Sequence, residues 1–438
     1  MSTPERQFTH TVATRVVLLV LGGITSVVIA RSLQPEGRGT YYVIVTVAAT
    51  ALSLGHLSVE QSQVWLWTGP DNRHAVAANS VVLGLSVGAA SALAAAVVLL
   101  AIGPGRLPAA GHPLLAIALA AIPFSMVVLY LNSVQMLRAR LDVVNRGLLL
   151  AATVQCGLLL SVGAAGRLSV AWVVGIWALS AGLPLLVLMP GSGVRIANRD
   201  WSLARLALGR GLRYHVGSAS LLLLFRVDVF ILNGLASAAA VGIYSLAVAV
   251  AELTRLVTDS IAQVVLPQQA ESVRDRAVAI TIRATRVTTL VALGLVGLMS
   301  STAPLLVPAV YGSAFSASVS PLLGLAPGLF ALGATRAIGA YLLRLDRPLL
   351  GSAIVVASLL LNVVLNLVLI PSYGVTGAAV ASSVAYCMLA LAQVVWFLRA
   401  TATPPGELLP TREEARRLWT VLRRTPAAVG SGKRSVPS

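Results

Sequence analysis

The segment "IARSLQPEGRGTYYVIVTVAAT", residues 29–50, interrupts a long apolar run with a short polar stretch and then resumes it. Such a segment is either a surface loop of a soluble protein or a turn between two membrane spans. Hydrophobic residues make up 57% of the chain, charged residues only 11%, and the mean hydropathy is +0.87. A soluble domain carries about 25% charged residues. The composition therefore predicts a polytopic membrane protein, in which Pro35 ends the first span and Gly37 and Gly39 permit the tight return.

Apolar runs long enough to cross a bilayer recur along the whole sequence. A helix needs about 20 predominantly apolar residues to span the hydrocarbon core, and helices are expected because unpaired strand edges are not stable in lipid. We therefore predict an all-α polytopic membrane protein with about twelve transmembrane helices. The predicted spans 1 to 12 cover residues 12–30, 41–66, 76–102, 113–136, 147–165, 168–190, 214–235, 240–266, 287–310, 319–343, 349–370 and 375–398.

The formal net charge of +17 is distributed over alternate loops. Most of the 32 basic residues lie on the side of the two chain termini. The opposite loops hold Arg31, Arg38, Arg106 and Arg167. The positive-inside rule then predicts that both termini are cytoplasmic. The same alternation argues against nucleic acid as a partner, since nucleic-acid binding needs a continuous basic surface.

An internal repeat relates the two halves of the sequence. Sliding the chain by 203 positions pairs residues 39–50 with residues 242–253, so that Gly39 meets Gly242 and Tyr41 meets Tyr244. The same offset places span 1 on span 7 and span 2 on span 8, which predicts two parallel six-helix bundles. The predicted organisation is an N-terminal bundle over residues 1–190, a basic cytoplasmic linker with a short interfacial helix over 191–213, a C-terminal bundle over 214–400 and a basic cytoplasmic tail over 401–438.

Three motifs resemble those of a known membrane-protein family. The first lies in the turn after span 1, the second in spans 7 and 8, and the third at the start of span 12. They are carried by Ala30, Arg31, Leu33, Pro35, Glu36, Gly37 and Gly39, by Asp228, Gly242, Tyr244 and Ala247, and by Tyr373, Gly374, Gly377, Ala378, Ala379 and Ala381. In this order they resemble the polysaccharide-export branch of the multidrug/oligosaccharidyl-lipid/polysaccharide (MOP) flippase superfamily, the Wzx-type lipid-linked oligosaccharide flippases. Gln34 and Arg38 depart from that pattern, which more often has Gly and an aromatic residue there.

The resemblance implies a fold of two six-helix bundles around a central cavity that opens alternately to either leaflet. It implies that the protein translocates an undecaprenyl-pyrophosphate-linked oligosaccharide across the bacterial cytoplasmic membrane for polysaccharide biosynthesis and export. The expected partners are the lipid-linked glycan and membrane lipids. A peptidoglycan-precursor flippase and a drug/cation antiporter of the same superfamily are the alternatives.

Six ionisable residues fall inside the predicted spans: Arg226, Asp228, Glu252, Arg255, Asp259 and Arg336. Each charge facing lipid at a helix centre costs roughly 2.5 to 3.5 kcal/mol, so these side chains are expected to face one another or water. Glu252, Arg255 and Asp259 are spaced i, i+3 and i+7, a spacing that permits pairing along one helix face. Arg226 and Asp228 point in roughly opposite directions and need partners on other helices.

Two interpretations of these six residues are open. They form an ion-pair network that locks the second bundle, or they bind substrate, with the arginines on the pyrophosphate and Asp228 or Glu252 titrating or holding a cation. The sequence has no Walker A, HExxH or CxxC motif, and we predict no enzymatic activity, cofactor or metal centre. The energy is therefore expected to come from an ion gradient, such as one of protons or sodium, from the membrane potential or from consumption of the product outside. In the tail, Thr411 and Glu414 predict a capping box before an amphipathic segment that includes Leu418, Trp419, Val421 and Leu422.

Overall fold

A computed structural model describes residues 4–69, 71–342, 345, 347–416 and 420, and no strand occurs among them. The predicted amphipathic segment at Leu418, Trp419, Val421 and Leu422 lies outside these residues. The helices are α1 (Pro4–Gly55), α2 (Val59–Leu66), α3 (Asn72–Ile102), α4 (Leu114–Ala120), α5 (Ile122–Leu137), α6 (Leu141–Ala164), α7 (Val170–Gly182), α8 (Leu185–Ser192), α9 (Trp201–Leu224), α10 (Val227–Leu235), α11 (Ala238–Glu271), α12 (Arg274–Tyr311), α13 (Val319–Ala334), α14 (Arg336–Leu342) and α15 (Pro348–Thr401).

The described helices contain the predicted membrane crossings. Nine helices in this part of the chain are long and apolar enough to span a bilayer, and the bent pair α9 and α10 makes a tenth. Two of the nine turn back on themselves at a non-helical residue, α1 at Gln34 and α15 at Gly374, so each supplies two crossings. The prediction of an all-α polytopic membrane protein with about twelve spans is confirmed.

The turn between spans 1 and 2 differs from the prediction in its mechanism. Gln34, with φ of 56°, makes the bend, and its side-chain amide donates to the carbonyl of Arg31 at 2.8 Å. Pro35 begins the second arm of α1, a position that suits proline because a first-turn residue needs no backbone donor. Gly37 and Gly39 are helical and do not form the turn. We call the membrane side that contains this bend the hairpin side, and the opposite one the terminal side.

Gly39 instead permits a close contact between the two halves. A Cβ atom on Gly39 would lie 1.8 Å from the carbonyl oxygen of Ala238, and one on Gly242 would lie 1.8 Å from the carbonyl oxygen of Pro35. The two glycines that the internal repeat pairs in sequence are therefore packed against each other, backbone to backbone. This contact brings the second arm of α1 against α11.

Several predicted spans are divided between two helices in the described chain. Span 2 breaks between α1 and α2, where Leu57 and Ser58 have φ of 49° and 50°. Span 7 bends by 42° between α9 and α10, and span 10 breaks at Thr335, between α13 and α14. Interrupted helices are tolerated at membrane depth only where protein or water satisfies the freed backbone groups.

The linker between the halves is more regular than predicted. Asp200 caps α9 by accepting from the backbone N–H groups of Ser202, at 2.7 Å, and Leu203, at 3.2 Å. Hydrogen bonds from the Ser202 hydroxyl and from these two amides hold the pKa of Asp200 below its ordinary value. From this cap one helix runs to Leu224, so the predicted short interfacial helix is the first part of span 7. The predicted segment boundaries at residues 190, 213 and 400 stay predictions.

The beginning of the tail folds back onto α12. The predicted capping box is present, with the Glu414 carboxylate accepting from the backbone N–H of Thr411 at 2.8 Å and the Glu414 N–H donating to the Thr411 hydroxyl at 3.3 Å. Arg286 pairs with Glu414 at 3.3 Å and donates to the carbonyl of Glu407 at 2.6 Å. The tail is therefore anchored on the terminal side of the second half.

Candidate functional site

The break in span 7 places Asp228 in the first turn of α10, where it is 2% exposed. Its carboxylate accepts three hydrogen bonds: from the Tyr244 hydroxyl on α11 at 2.5 Å, from the Ser382 hydroxyl on α15 at 2.9 Å, and from the backbone N–H of Val229 at 2.8 Å. A carboxylate at a helix N-terminus is stabilised by the exposed amides and by the helix dipole. Asp228 thus joins three helices of the second half at one buried point.

A chain of buried polar groups continues from Asp228 along α15. The Asn362 side-chain amide donates to Ser382 at 3.2 Å, and the Asn366 amide donates to the Asn362 side-chain oxygen at 3.0 Å. All three residues are fully buried. The Asn366 side-chain oxygen has no hydrogen-bond donor among the described residues. A buried acceptor without a donor is costly, which makes this oxygen a ready ligand for a cation or a water molecule.

The second candidate, Arg226, lies at the break itself and bridges the two halves. It pairs with Glu252 on α11 at 3.1 Å and donates to the Tyr42 hydroxyl on the second arm of α1 at 3.0 Å. The side chains of Arg226 and Glu252 are 26% and 45% exposed. This pair is therefore accessible from outside the packed core, in contrast to Asp228.

A second ion pair lies at the break in span 10. Arg336, the first residue of α14, pairs with Asp259 on α11, and the two side chains are 31% and 26% exposed. Both ion pairs among the six candidates thus join α11 to a broken helix. The pairing along the face of α11 that the spacing suggested is not found among the described residues, because Glu252 and Asp259 each bind an arginine from another helix.

Arg255 is the one candidate arginine that takes part in neither ion pair. Its guanidinium lies over the ring of Phe225, 4.3 Å from the ring centre, and it has no carboxylate partner among the described residues. Its Nε atom is buried and has no acceptor in this part of the chain. A cation held on an aromatic face keeps its capacity to bind an anion. Arg255 is therefore the arginine whose charge is not neutralised within the cluster.

Sequence reasoning found the charged members of the site and missed several neutral ones. Ser382, Asn362 and Asn366 were not predicted, and Tyr42 was not singled out. The segment "LLLNVVLNLVLI", residues 359–370, carried a signal, since two asparagines four residues apart in an otherwise apolar span lie on one helix face. Nothing in the sequence alone links that face to Asp228.

On the hairpin side, two arginines hold the halves together. Arg31 donates to the carbonyls of Ala309 and Val310 at the end of α12, both at 2.8 Å, where helix carbonyls lack partners. Arg38, buried at 6% exposure, donates to the Ser245 hydroxyl on α11 at 3.0 Å. With the Gly39 and Gly242 contact, these bonds close the hairpin side.

The chain was compared with proteins of known sequence and structure. No family model and no curated protein matches it. Among solved structures, an inward-facing multidrug resistance MATE family transporter of the MOP superfamily matches with a TM-score of 0.66 and 15% identity, over 88% of this chain and 94% of its own. The lipid II flippase MurJ in an inward closed conformation matches with a TM-score of 0.70 and 12% identity, over 98% and 94%. An outward-facing MATE family transporter gives 0.58 and 14%, over 92% and 96%.

At these identities the likeness establishes the fold. The chain is a multi-pass membrane protein with the fold of MATE transporters and of the MurJ flippase. On this fold, the six candidate residues and the buried asparagines all lie in the second half, around two helix breaks.

Proposed function

We propose that this protein is a flippase that moves an undecaprenyl-pyrophosphate-linked oligosaccharide across the bacterial cytoplasmic membrane by alternating access, for polysaccharide biosynthesis and export. The observation that carries the proposal is Arg255, an arginine inside the spans with no carboxylate partner among the described residues. An unpaired cationic side chain at membrane depth costs free energy. Such a residue has a function where an anionic ligand binds to it. A pyrophosphate is such a ligand, since guanidinium groups bind phosphate oxygens in bidentate geometry.

The closure of the hairpin side supports the direction of transport. The basic terminal side is cytoplasmic by the positive-inside rule, so the bonds of Arg31 and Arg38 close the side that faces away from the cytoplasm. Opening to the outside requires that Arg31 leave the α12 carbonyls and that Arg38 leave Ser245.

Coupling is assigned to the buried network around Asp228. The Asp228 carboxylate on α10 and the Ser382 hydroxyl and two side-chain amides on α15 are linked by hydrogen bonds into one buried chain, and oxygen atoms of these kinds are the ligands that hard cations prefer. The unpartnered oxygen of Asn366 supplies an acceptor for such a cation. These groups lie on α10 and on both arms of α15, so an ion bound there, or a proton on Asp228, changes how these elements pack. Arg226 connects that change to the first half through Tyr42.

Replacement of Arg255 by Gln tests the substrate site. We expect export of the glycan to fall by at least tenfold with protein abundance retained, because Arg255 makes no ion pair whose loss would strand a carboxylate. Arg167 is an exposed arginine with no ion pair in the described chain, so Arg167→Gln is the matched control and should leave export unchanged. Normal export by Arg255→Gln at wild-type abundance would refute the substrate assignment.

Deletion of the gene distinguishes the substrate classes. A lipid-linked oligosaccharide flippase predicts that lipid-linked repeat units accumulate on the cytoplasmic face while growth and drug resistance persist. Loss of viability would favour a peptidoglycan precursor as substrate, and drug sensitivity would favour a drug/cation antiporter.

Coupling is tested in proteoliposomes, where Asp228→Asn should abolish stimulation of transport by a sodium or proton gradient. If gradient stimulation survives in Asp228→Asn, the coupling site lies elsewhere.

A further inference from the structure

A cavity of about 850 Å³ lies between the two halves, away from the six charged candidates. Its walls come from the second arm of α1, from α3, from α10 and from Leu367 on α15. Almost all of its lining is apolar, and small residues such as Ala51, Ala94 and Gly234 provide the space. None of the six charged candidates lines it. A polar headgroup therefore has few partners along these walls, and the cavity suits a hydrocarbon chain.

The cavity opens toward the surface of the transmembrane region. Several of its lining residues are strongly exposed, including Val98 at 55%, Leu235 at 50% and Leu367 at 53%. The cavity is therefore open to its surroundings and not sealed, and an apolar opening in the transmembrane region suits a lipid chain.

One cation lies among the lining residues. Arg106, in the loop after α3, lines the cavity on the hairpin side, is exposed, and forms no ion pair or hydrogen bond through its side chain in the described part of the chain. Its position is fixed by the other half: the Arg106 carbonyl oxygen lies 2.7 Å from where a Cβ would stand on Gly234 of α10. The Ala109 N–H in the same loop also donates to the Asn233 side chain at 3.4 Å. An apolar cavity with a single free arginine at one end matches a lipid that has a phosphate at the end of its chain.

We propose that this cavity binds the isoprenoid chain of a polyprenyl phosphate, with Arg106 on the phosphate at the hairpin-side surface. Because both halves contribute walls, the cavity changes shape when the halves move relative to each other, as a site for a transported lipid must. A permanently bound membrane lipid needs no such shared wall. The inference rests on the proposed function and adds to it a place where the lipid chain is held once its headgroup reaches the outer leaflet.

The experiment uses the full-length protein in vesicles of a neutral phospholipid with a photoreactive polyprenyl phosphate that carries no glycan. We expect labelling of peptides from α3 and α10, and competition by unlabelled polyprenyl phosphate but not by an equal concentration of phosphatidylglycerol. Ala94→Trp fills the cavity and should lower labelling at least tenfold. Ala90→Trp, at an exposed position of the same helix outside the cavity, should leave it unchanged.

The arginine is tested separately from the chain. Arg106→Gln should lower labelling by polyprenyl phosphate several-fold and leave labelling by the matched photoreactive polyprenol, which lacks the phosphate, unaltered. Equal competition by phosphatidylglycerol would mean that the cavity holds bulk lipid, and it would overturn the proposal, as would full labelling of a folded Ala94→Trp protein. Labelling is read in vesicles that contain no glycan, and it requires no transport step. A failure of the transport proposal can therefore be told apart from a failure of this one.

Discussion

The two halves of the molecule share a frame and differ in the chemistry placed on it. At the repeat offset of 203, the frame residues agree, with Gly39 on Gly242 and Tyr41 on Tyr244. The charged residues of spans 7 and 8 have uncharged or histidine counterparts in spans 1 and 2. Gly23 corresponds to Arg226, Thr25 to Asp228, Ala49 to Glu252, Leu52 to Arg255 and His56 to Asp259.

This difference assigns separate tasks to the halves. Packing at the glycine contact depends on backbone shape, which both repeats supply equally. The two ion pairs among the six candidates and the hydrogen bonds of Asp228 use side chains of the second half, so the proposed binding and coupling chemistry is concentrated there. The first half contributes the Tyr42 hydroxyl to Arg226 and part of the walls of the apolar cavity. Under the proposed function, the second half binds the ligand and the first half moves against it.

The largest expected effect concerns the shared frame. Gly39→Ala places a methyl group 1.8 Å from the carbonyl oxygen of Ala238, a backbone atom that cannot move aside without separating α1 from α11. We expect unfolding in detergent at a lower temperature, with a loss of about 3 kcal/mol, and faster reaction of a cysteine introduced on the hairpin side with thiol reagents. Gly294, on α12, has open space at its Cβ position, so Gly294→Ala is the control. Equal thermal stability of the two variants would show that the glycine contact does not hold the halves together.

The second effect tests the network that only one half possesses. Asp228→Ala leaves the hydroxyls of Tyr244 and Ser382 without their acceptor, and at about 1 kcal/mol for each buried unsatisfied group we expect a loss of about 2 kcal/mol. Thr25→Ala, at the corresponding position of the first half, should change the free energy of unfolding by less than about 0.5 kcal/mol. Thermal unfolding of both variants measures the contrast. Similar losses would mean that the two halves are equally specialised at this depth.

The third effect ranks the two ion pairs of α11. Both Arg336 and Asp259 are about one quarter to one third exposed, whereas Glu252 is 45% exposed in its pair with Arg226. Solvent weakens exposed pairs, so a double-mutant cycle should give a coupling of about 1 to 2 kcal/mol for the first pair and about 0.5 kcal/mol for the second. Coupling energies in the reverse order would mean that Glu252 is better shielded than its exposure indicates.

The same contrast explains how far the sequence could predict the structure. The spans follow from composition and length, because a bilayer imposes one helix length everywhere, and the in-span charges were identifiable because each is expensive. The repeat paired Gly39 with Gly242 in sequence but did not predict that they are in contact. The return at residues 34–39 was assigned to Gly37 and Gly39 and is made by Gln34. That bend depends on how the following arm packs against α11, which no local preference encodes.

The partners of the charged residues could not be predicted from the sequence, for a similar reason. Spacing along α11 suggested that Arg255 pairs with its neighbours, but Asp259 binds Arg336 and Glu252 binds Arg226. The competing arginines come from other helices, and helical spacing contains no information about them. Ser382, which binds Asp228 across the bundle, was hidden for the same reason.

The smallest expected effect lies outside the membrane, in the docked tail of the second half. Burial alone would raise the pKa of Glu414, but hydrogen bonds from Thr411 and the nearby Arg286 guanidinium outweigh it and lower the pKa. Because the pKa is lower in the docked tail than in an unfolded chain, the stabilisation is present above the ordinary value of about 4.3 and is lost as the pH falls through the lowered one. Glu414→Gln should therefore loosen the tail by about 1 kcal/mol at neutral pH, measured as faster amide hydrogen exchange at residues 405–416, and should remove its acid dependence. Glu407→Gln keeps the backbone carbonyl that accepts from Arg286, so its amide hydrogen exchange should match that of the parent protein. If exchange in Glu414→Gln still became faster at acidic pH, the titrating group would be another residue.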